Sequence, residues 1–282
     1  MADVTIDMIK ALRERTGAGM MDCKRALQEK NGDIEAAVDY LREKGIAKAA
    51  TKASRIAAEG LTNVKFCDKC HKGIIVEVNC ETDFVSSSDK FHKLVDDVTS
   101  LLLKEEPKDL EAAKALTQSL FADATVAMGE KFDLRRFVIV KPTAAEGVAT
   151  YIHMGGKISV LAILDKPSDE LAKPLAMHIA ANNPLYINLK DVPADVRLRE
   201  KGVAQAEVAA DPKLTGKPDQ VKAMIVEKKV DKVLSESCLA LQPYLMDDTK
   251  TVGQFLKENG LQVVSFIRYQ VGEGIAKAGE AC

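Results

Sequence analysis

Tryptophan is absent from this 282-residue chain, and aromatic side chains make up only 5% of it. With so few flat rings, no stacking platform for single-stranded nucleic acid is expected. Charge of one sign is lacking too: 40 basic against 42 acidic residues leave a net −2. Neither a phosphate backbone nor an anionic lipid surface would draw such a chain, so no direct nucleic-acid or membrane contact is expected. No apolar run approaches the roughly 20 residues that span a bilayer. The opening Met1-Ala2-Asp3-Val4-Thr5 has no basic region followed by an apolar stretch. The expected location is therefore cytoplasmic.

Catalytic and nucleotide-binding signatures are also missing. There are four histidines and no Ser-His-Asp set, H-E-x-x-H or dinucleotide fingerprint. The glycines of Thr16-Gly17-Ala18-Gly19-Met20-Met21-Asp22-Cys23-Lys24 lack both a preceding strand and the G-x-x-x-x-G-K-[ST] spacing of a phosphate loop. His92 and His178 fall within helical stretches and read as structural. No residue pair proposes a nucleophile with its base, so no catalytic residue and no cofactor are expected. What remains is a binding protein rather than an enzyme of covalent chemistry.

Six cysteines are scattered along the chain and read as free thiols in a reducing compartment. Cys67-Asp68-Lys69-Cys70-His71 has haem-attachment spacing and half of a zinc site. Cys80 could add a ligand, but it lies at the far end of the next strand, over roughly 20 Å away at about 3.3 Å per residue. The segment reads as a hairpin tip with incidental thiols. A zinc or redox module using Cys67, Cys70, His71 and Cys80 is one alternative reading of the chain, and a passive protein-interaction scaffold is the other.

Periodicity organises the rest. Thr5 caps a first helix with Ile6, Ile9 and Leu12 on one face, ending at Thr16-Gly17. A second starts after Gly19 and ends at Asn31-Gly32; a third is capped by Asp33 and closed by Gly45. Three helices this short bury little, so the module is expected to be small and tethered, with a helical linker over Ile46 to Ala58. Two consecutive methionines, Met20 and Met21, cannot both face one small core, so one at least is exposed, adaptable contact surface.

From Leu61 the period changes. Leu61–Phe66 and Gly73–Val78 form a hairpin, helices follow from about Asp89 and from Leu110, and Phe137–Val140 is a strand. The order then recurs: Gly147–His153 and Gly156–Leu164, a helix over Asp169–Ala181, and a late strand over Val263–Val271. The recurrence suggests an internal duplication. Each half is an antiparallel sheet needing helices on one face, an α+β arrangement. The second half is interrupted between Pro184 and about Ser235 by two helical runs, Ala194–Ala210 and Asp219–Ser235, read as a protruding antiparallel hairpin. Its apolar side, Val221, Met224, Ile225, Val230 and Val233, either packs on the partner helix or serves as a protein contact or homodimer surface.

One connection stands out. Thr82-Asp83-Phe84-Val85 follows the buried-strand pattern Gly73–Val78 and precedes the helix start Ser86-Ser87-Ser88-Asp89. A carboxylate beside a large ring is an odd choice for a loop that only has to be soluble. Either Phe84 turns back into the core and Asp83 caps locally, or the pair projects as a wedge into another molecule.

Three stretches together resemble the elongation factor Ts family: Leu12 to Lys24, the run Glu77-Val78-Asn79-Cys80-Glu81-Thr82-Asp83-Phe84-Val85, and Gly272-Glu273-Gly274-Ile275. The resemblance implies a three-helix, UBA-like N-terminal domain over residues 1–54. It implies a core with one half over 55–141 and the other over 142–183 and 236–271, an inserted helical hairpin over 184–235, and a tail over 272–282. It implies guanine-nucleotide exchange on elongation factor Tu, the GTPase that carries aminoacyl-tRNA to the ribosome. Thr82, Asp83, Phe84 and Val85 would then enter beside the partner's Mg²⁺ site. Arg13, Met20, Met21 and Lys24 would meet its GTPase domain. Met128 and Gly129 match a core loop near the wedge, His153 falls on a contact position, and Leu245 and Met246 fall on a segment touching another domain of the partner. Related proteins often continue into a longer C-terminal helix, so the short run Ala276-Lys277-Ala278-Gly279-Glu280 implies a reduced contact there. The Cys67–His71 turn is outside the resemblance.

Overall fold

A computed structural model describes residues 4–275. Helices and antiparallel sheets are mixed along the chain, and the α+β expectation is met. The chain divides into two compact units; the first holds the residues up to Pro142, then Ile152–Leu161 and the segment from Tyr269. No helix of the described residues is long and apolar enough to cross a membrane.

The first unit opens with α1 (Ile6–Thr16), α2 (Met20–Glu29) and α3 (Ile34–Lys52). Thr5 accepts from the Met8 N–H at the start of α1, and Gly17, at φ 67°, supplies the left-handed residue that stops it. Asp33 caps α3 by accepting from Ala36 N–H. Ile9 and Leu12 point inward as the pattern requires, but Ile6 is 66% exposed. The small interior is already filled by Leu12, Cys23, Ala26, Leu27, Ala37 and their neighbours.

Gly45 does not end the third helix. α3 runs through it to Lys52, absorbing most of the expected linker. A mid-helix glycine costs about 1 kcal/mol relative to alanine, and packing explains why one sits here. A Cβ at position 45 would come 2.5 Å from the carbonyl oxygen of Ala122, on the helix α3 lies against. That helix also contributes Val126 to the three-helix core, and its Asp123 pairs with Arg42 at 3.4 Å.

After α3 come β1 (Glu59–Cys67), β2 (Lys72–Cys80), a one-turn helix α4 (Asp83–Ser86), α5 (Asp89–Glu105), α6 (Leu110–Met128) and β3 (Asp133–Val140). The strands form one antiparallel sheet in the order β1-β2-β3, with Leu61 opposite Val78 and Ile74 opposite Ile139. β2 is central and buried on both faces, which is why its sequence reads as an unbroken apolar run. Ile74, Val76, Val78 and Cys80 face a core built with Phe91, Leu94, Val98 and Leu102 of α5. On the opposite face the fully buried Glu77 carboxylate receives Arg135 at 2.9 Å, Arg136 at 2.6 Å and the Gly272 N–H at 2.9 Å. Both oxygens of this enclosed carboxylate are thereby engaged.

The remaining elements are β4 (Gly147–His153), β5 (Ile158–Leu164), α7 (Asp169–Asn182), α8 (Ala194–Ala210), α9 (Asp219–Glu236), β6 (Pro243–Tyr244), β7 (Asp247–Thr251), α10 (Val252–Glu258) and β8 (Val263–Gln270). A second three-stranded sheet has the order β4-β5-β8, repeating the order of the first. α8 and α9 pack as the expected hairpin, with a different seam. Ala204, Val208, Val226, Val230 and Leu234 are buried, Ile225 packs at the edge, and Val221, Met224 and Val233 face outward. The seam selects residues every fourth position (226, 230, 234), whereas the expected set mixed two faces of one helix. Arg197 bonds to Asp231 at 2.8 Å and Lys201 to Glu227 at 2.6 Å along the hairpin flank. The expected tail over 276–280 lies outside the described residues.

Candidate partner-binding surface

At the end of β2 the chain must leave a buried strand and start a helix within two residues. Thr82, extended at φ −125°, caps α4 by accepting from the Val85 N–H through Oγ1. Val85 and Ser86 are buried and root the turn in the core. The next cap follows at once: Ser88 accepts from Phe91 N–H and opens α5. Between these two caps Phe84 has nowhere inward to go. It is 84% exposed, more than any other large apolar side chain among the described residues. Phe91, seven positions on, is fully buried and stacks on Phe132 at 5.8 Å. The Asp83 carbonyl is occupied by the Ser87 N–H and the Ser86 and Ser87 hydroxyls. Its carboxylate has no hydrogen bond or ion pair among the described residues.

The backbone under this exposed ring is held from a second segment. Glu130, just past α6, accepts the Glu81 N–H at 3.0 Å, the Thr82 N–H at 3.1 Å and the Thr82 hydroxyl at 2.6 Å. Glu81 reciprocates, accepting the Lys131 N–H at 2.7 Å and pairing with Arg55. Burial pushes the Glu81 carboxyl up, but the Lys131 N–H and the charges of Arg55 and Lys52 outweigh it and leave it below the usual carboxylate range. Lys131 also donates to the Ala53 and Arg55 carbonyls at 2.7 and 2.8 Å, and Lys52 donates to the Gly129 carbonyl. Lys157 reaches the Ser86 hydroxyl at 3.2 Å and Glu59 at 3.4 Å. Four separate stretches thus converge on one short turn.

Two other expected contact groups lie close by in the same unit. Gly129, exposed at φ 78°, ends α6, and Met128 before it is half-buried against the sheet core. The α1–α2 loop meets the same helix end, since a Cβ on Gly17 would stand 3.2 Å from Ala127 Cβ and 3.8 Å from Lys90 Nζ. Arg13, Met20, Met21 and Lys24 flank that loop and are all exposed. Neither methionine enters the core. His153 is half-buried at the end of β4, and the residue after it, Met154, is 70% exposed with φ 48°.

Leu245 and Met246 form the exposed turn between β6 and β7 in the second unit. The buried His178 holds that turn, its Nδ1 accepting the Leu245 N–H at 3.2 Å while Nε2 meets Gln242 Oε1 at 3.0 Å. Burial lowers the His178 pKa, which keeps the ring neutral and able to accept.

The sequence reading missed Glu130. Its only signal was position, a carboxylate directly after the glycine that ends α6. It also did not single out the exposure of Met154, although a methionine ahead of two glycines is hard to bury.

Among the described residues no three His, Cys, Asp or Glu side chains converge. Cys67 and Cys80 sit at opposite ends of the hairpin, and burial pushes the Cys80 thiol up to about 12. The arrangement around Phe84 offers an exposed ring and a carboxylate on a braced backbone.

The family model described as Elongation factor TS matches residues 81–273. A protein of Acholeplasma laidlawii named Elongation factor Ts is 44% identical over 281 residues, covering 97% of this chain and 94% of that one. One of the same name from Lactiplantibacillus plantarum is 44% identical over 286 residues, covering 99% and 96%.

Proposed function

The chain belongs to the elongation factor Ts family, the nucleotide exchange factors of elongation factor Tu in translation, and from that premise we propose that Phe84 is the ring that loosens the partner's nucleotide. In this reading Phe84, with Asp83 beside it, enters next to the Mg²⁺ site of elongation factor Tu·GDP. Mg²⁺ demands near-octahedral oxygen geometry, so a small displacement of its supporting side chains costs much of the GDP affinity. Binding is linked: whatever the factor subtracts from nucleotide affinity, nucleotide subtracts from the factor's affinity by the same ratio. The factor therefore holds the empty partner and leaves when nucleotide returns, with no covalent step.

The observation that carries this reading is the exposure of Phe84 on a backbone braced by Thr82 and Glu130. An apolar ring held out in water by surrounding caps is a preorganised hot spot, since little ordering remains to be done on binding. Thr82 and Val85 serve as cap and root of the turn. Arg13, Met20, Met21 and Lys24 add a second patch to the same partner, with Met128 and Gly129 between the two. His153 and the Leu245-Met246 turn provide further contacts. The outward Met224 and Val233 of α9 and Leu198 and Val203 of α8 make the hairpin a candidate homodimer surface, which sedimentation of the free protein tests. Stopped-flow release of fluorescent GDP from elongation factor Tu tests the central claim. Wild-type protein should accelerate release, and Phe84→Ala should lose that acceleration while melting normally. Loss of activity only through unfolding would return Phe84 to the core.

A further inference from the structure

The connection between β1 and β2 holds two thiols to which nucleotide exchange gives no role. Cys67 ends β1, opposite Lys72 in the ladder, and His71 turns the chain at φ 53°. The His71 ring packs edge-on against Phe66 at 5.5 Å, fixing the turn against the strand. Inside the turn, Cys70 folds back over Cys67: its N–H donates to Cys67 Sγ at 3.3 Å, and its own Sγ lies 3.9 Å from the Cys67 carbonyl. Cys70 is exposed and Cys67 half-buried, while Cys23, Cys80 and Cys238 are buried. Lys72, beside the turn, is paired with Glu106.

We propose that this tip is a dithiol–disulfide site for small soluble disulfides, with Cys67 as the attacking and Cys70 as the resolving sulfur. A hairpin end that already stacks one cysteine on the other can close an S–S bond within the turn, leaving the pairing of Phe66 with Gly73 and of Lys65 with Ile74 in place. The two sulfurs are also electronically unequal. The Cys70 thiol and the N–H groups of Cys70 and Lys69 hold the Cys67 pKa below that of an ordinary thiol. The same contact with Cys67, and then burial, push the Cys70 pKa up. Nucleophilic attack goes to the thiolate-rich member of such a pair.

The chemistry balances with a low-molecular-weight disulfide as oxidant. The Cys67 thiolate attacks one sulfur of the oxidant, whose S–S bond breaks and whose other half leaves as a thiolate and takes up a proton. The mixed disulfide on Cys67 is then attacked by Cys70, which loses its proton to water and expels the second thiolate. Two electrons pass from the protein dithiol to the oxidant, giving one intraturn disulfide and two small thiols.

The test uses the full chain carrying Cys282→Ser, which removes the one cysteine outside the described residues, and oxidised glutathione as the probe. Trypsin cuts after Lys65, Lys69 and Lys72, between the two cysteines. An intraturn disulfide therefore leaves the Phe66–Lys69 and Cys70–Lys72 peptides joined in one species, which dithiothreitol separates. That linked species is the expected product. Cys70→Ser should instead accumulate glutathione on Cys67, and Cys67→Ser should slow glutathione uptake at the turn about tenfold. Glutathione retained on Cys70 with Cys67 untouched, a disulfide linking two chains, or reaction of Cys23, Cys80 or Cys238 ahead of the turn would each overturn the proposal. Every readout is independent of nucleotide exchange.

Discussion

The two ends of β2 lie roughly 26 Å apart at strand spacing, and they spend their polar groups in opposite ways. At the Cys80 end, Glu130, Glu81 and Thr82 fix backbone N–H groups, and the side chain left outside is an apolar ring. At the Lys72 end the backbone N–H of Cys70 is turned on a sulfur, and the atoms left outside are reactive. The comparison teaches that exposure is not slackness. Phe84 is as open to water as a tail residue would be, yet the backbone leading into it is tied to Glu130, so what it presents is a shape. The Cys67–Cys70 turn presents chemistry, because its hydrogen bonds act on charge rather than on position.

Four measurements break or sharpen that contrast. The largest effect is expected from Phe84→Ala, which should slow stimulated GDP release about 30-fold or more, the scale of a hot-spot truncation. Its melting temperature should stay close to wild type, because so exposed a ring contributes little burial. Second, Glu130→Gln leaves the side chain's volume but weakens three bonds to the turn. Exchange should fall about tenfold in stopped flow, the scale of one charge-assisted hydrogen bond. An unchanged rate would mean that the turn holds its shape without the brace.

The third concerns pH. The Glu81 carboxyl lies below its ordinary 4.5 in the folded protein. A carboxyl lowered on folding contributes stability above its unfolded pKa and loses it as pH falls through the folded value. The gap in urea midpoint between wild type and Glu81→Gln should therefore be full at about pH 7 and close as pH drops below about 4, at the acid end of that window. A gap that widened on acidification would contradict the sign of the shift. The smallest effect, none on GDP release, is expected from the double variant Cys67→Ser, Cys70→Ser. A clear change in rate would mean that the two ends of the strand are coupled.

Much of this was legible in the sequence, for identifiable reasons. Thr5, Asp33 and Ser88 start helices because a short side-chain oxygen can accept a free N–H there, and a local rule of that kind needs no tertiary context. β2 was visible because a strand covered on both faces must be apolar throughout. The Thr82–Val85 turn was visible as an anomaly, a ring and a carboxylate where solubility asked for neither. Gly45 misled for the same reason that Gly17 informed. Glycine marks both a left-handed stop and a close approach, and only the neighbouring helix tells them apart. The α9 seam was misassigned because a helix apolar on two faces does not announce which one its partner will take.

By itself, then, the sequence did not announce α4, β6, β7 or α10, but it determined the longer helices and strands, their order and the family. Each of these follows from caps, periods and motifs spanning a few consecutive residues. Only the tertiary structure decided that Phe84 stands outside, because that outcome depends on Glu130, 46 positions away, reaching two N–H groups and a hydroxyl that a strand end leaves open. Likewise only folding set Cys70 over Cys67, since two cysteines three apart can face each other or not according to how the turn between them is pinned.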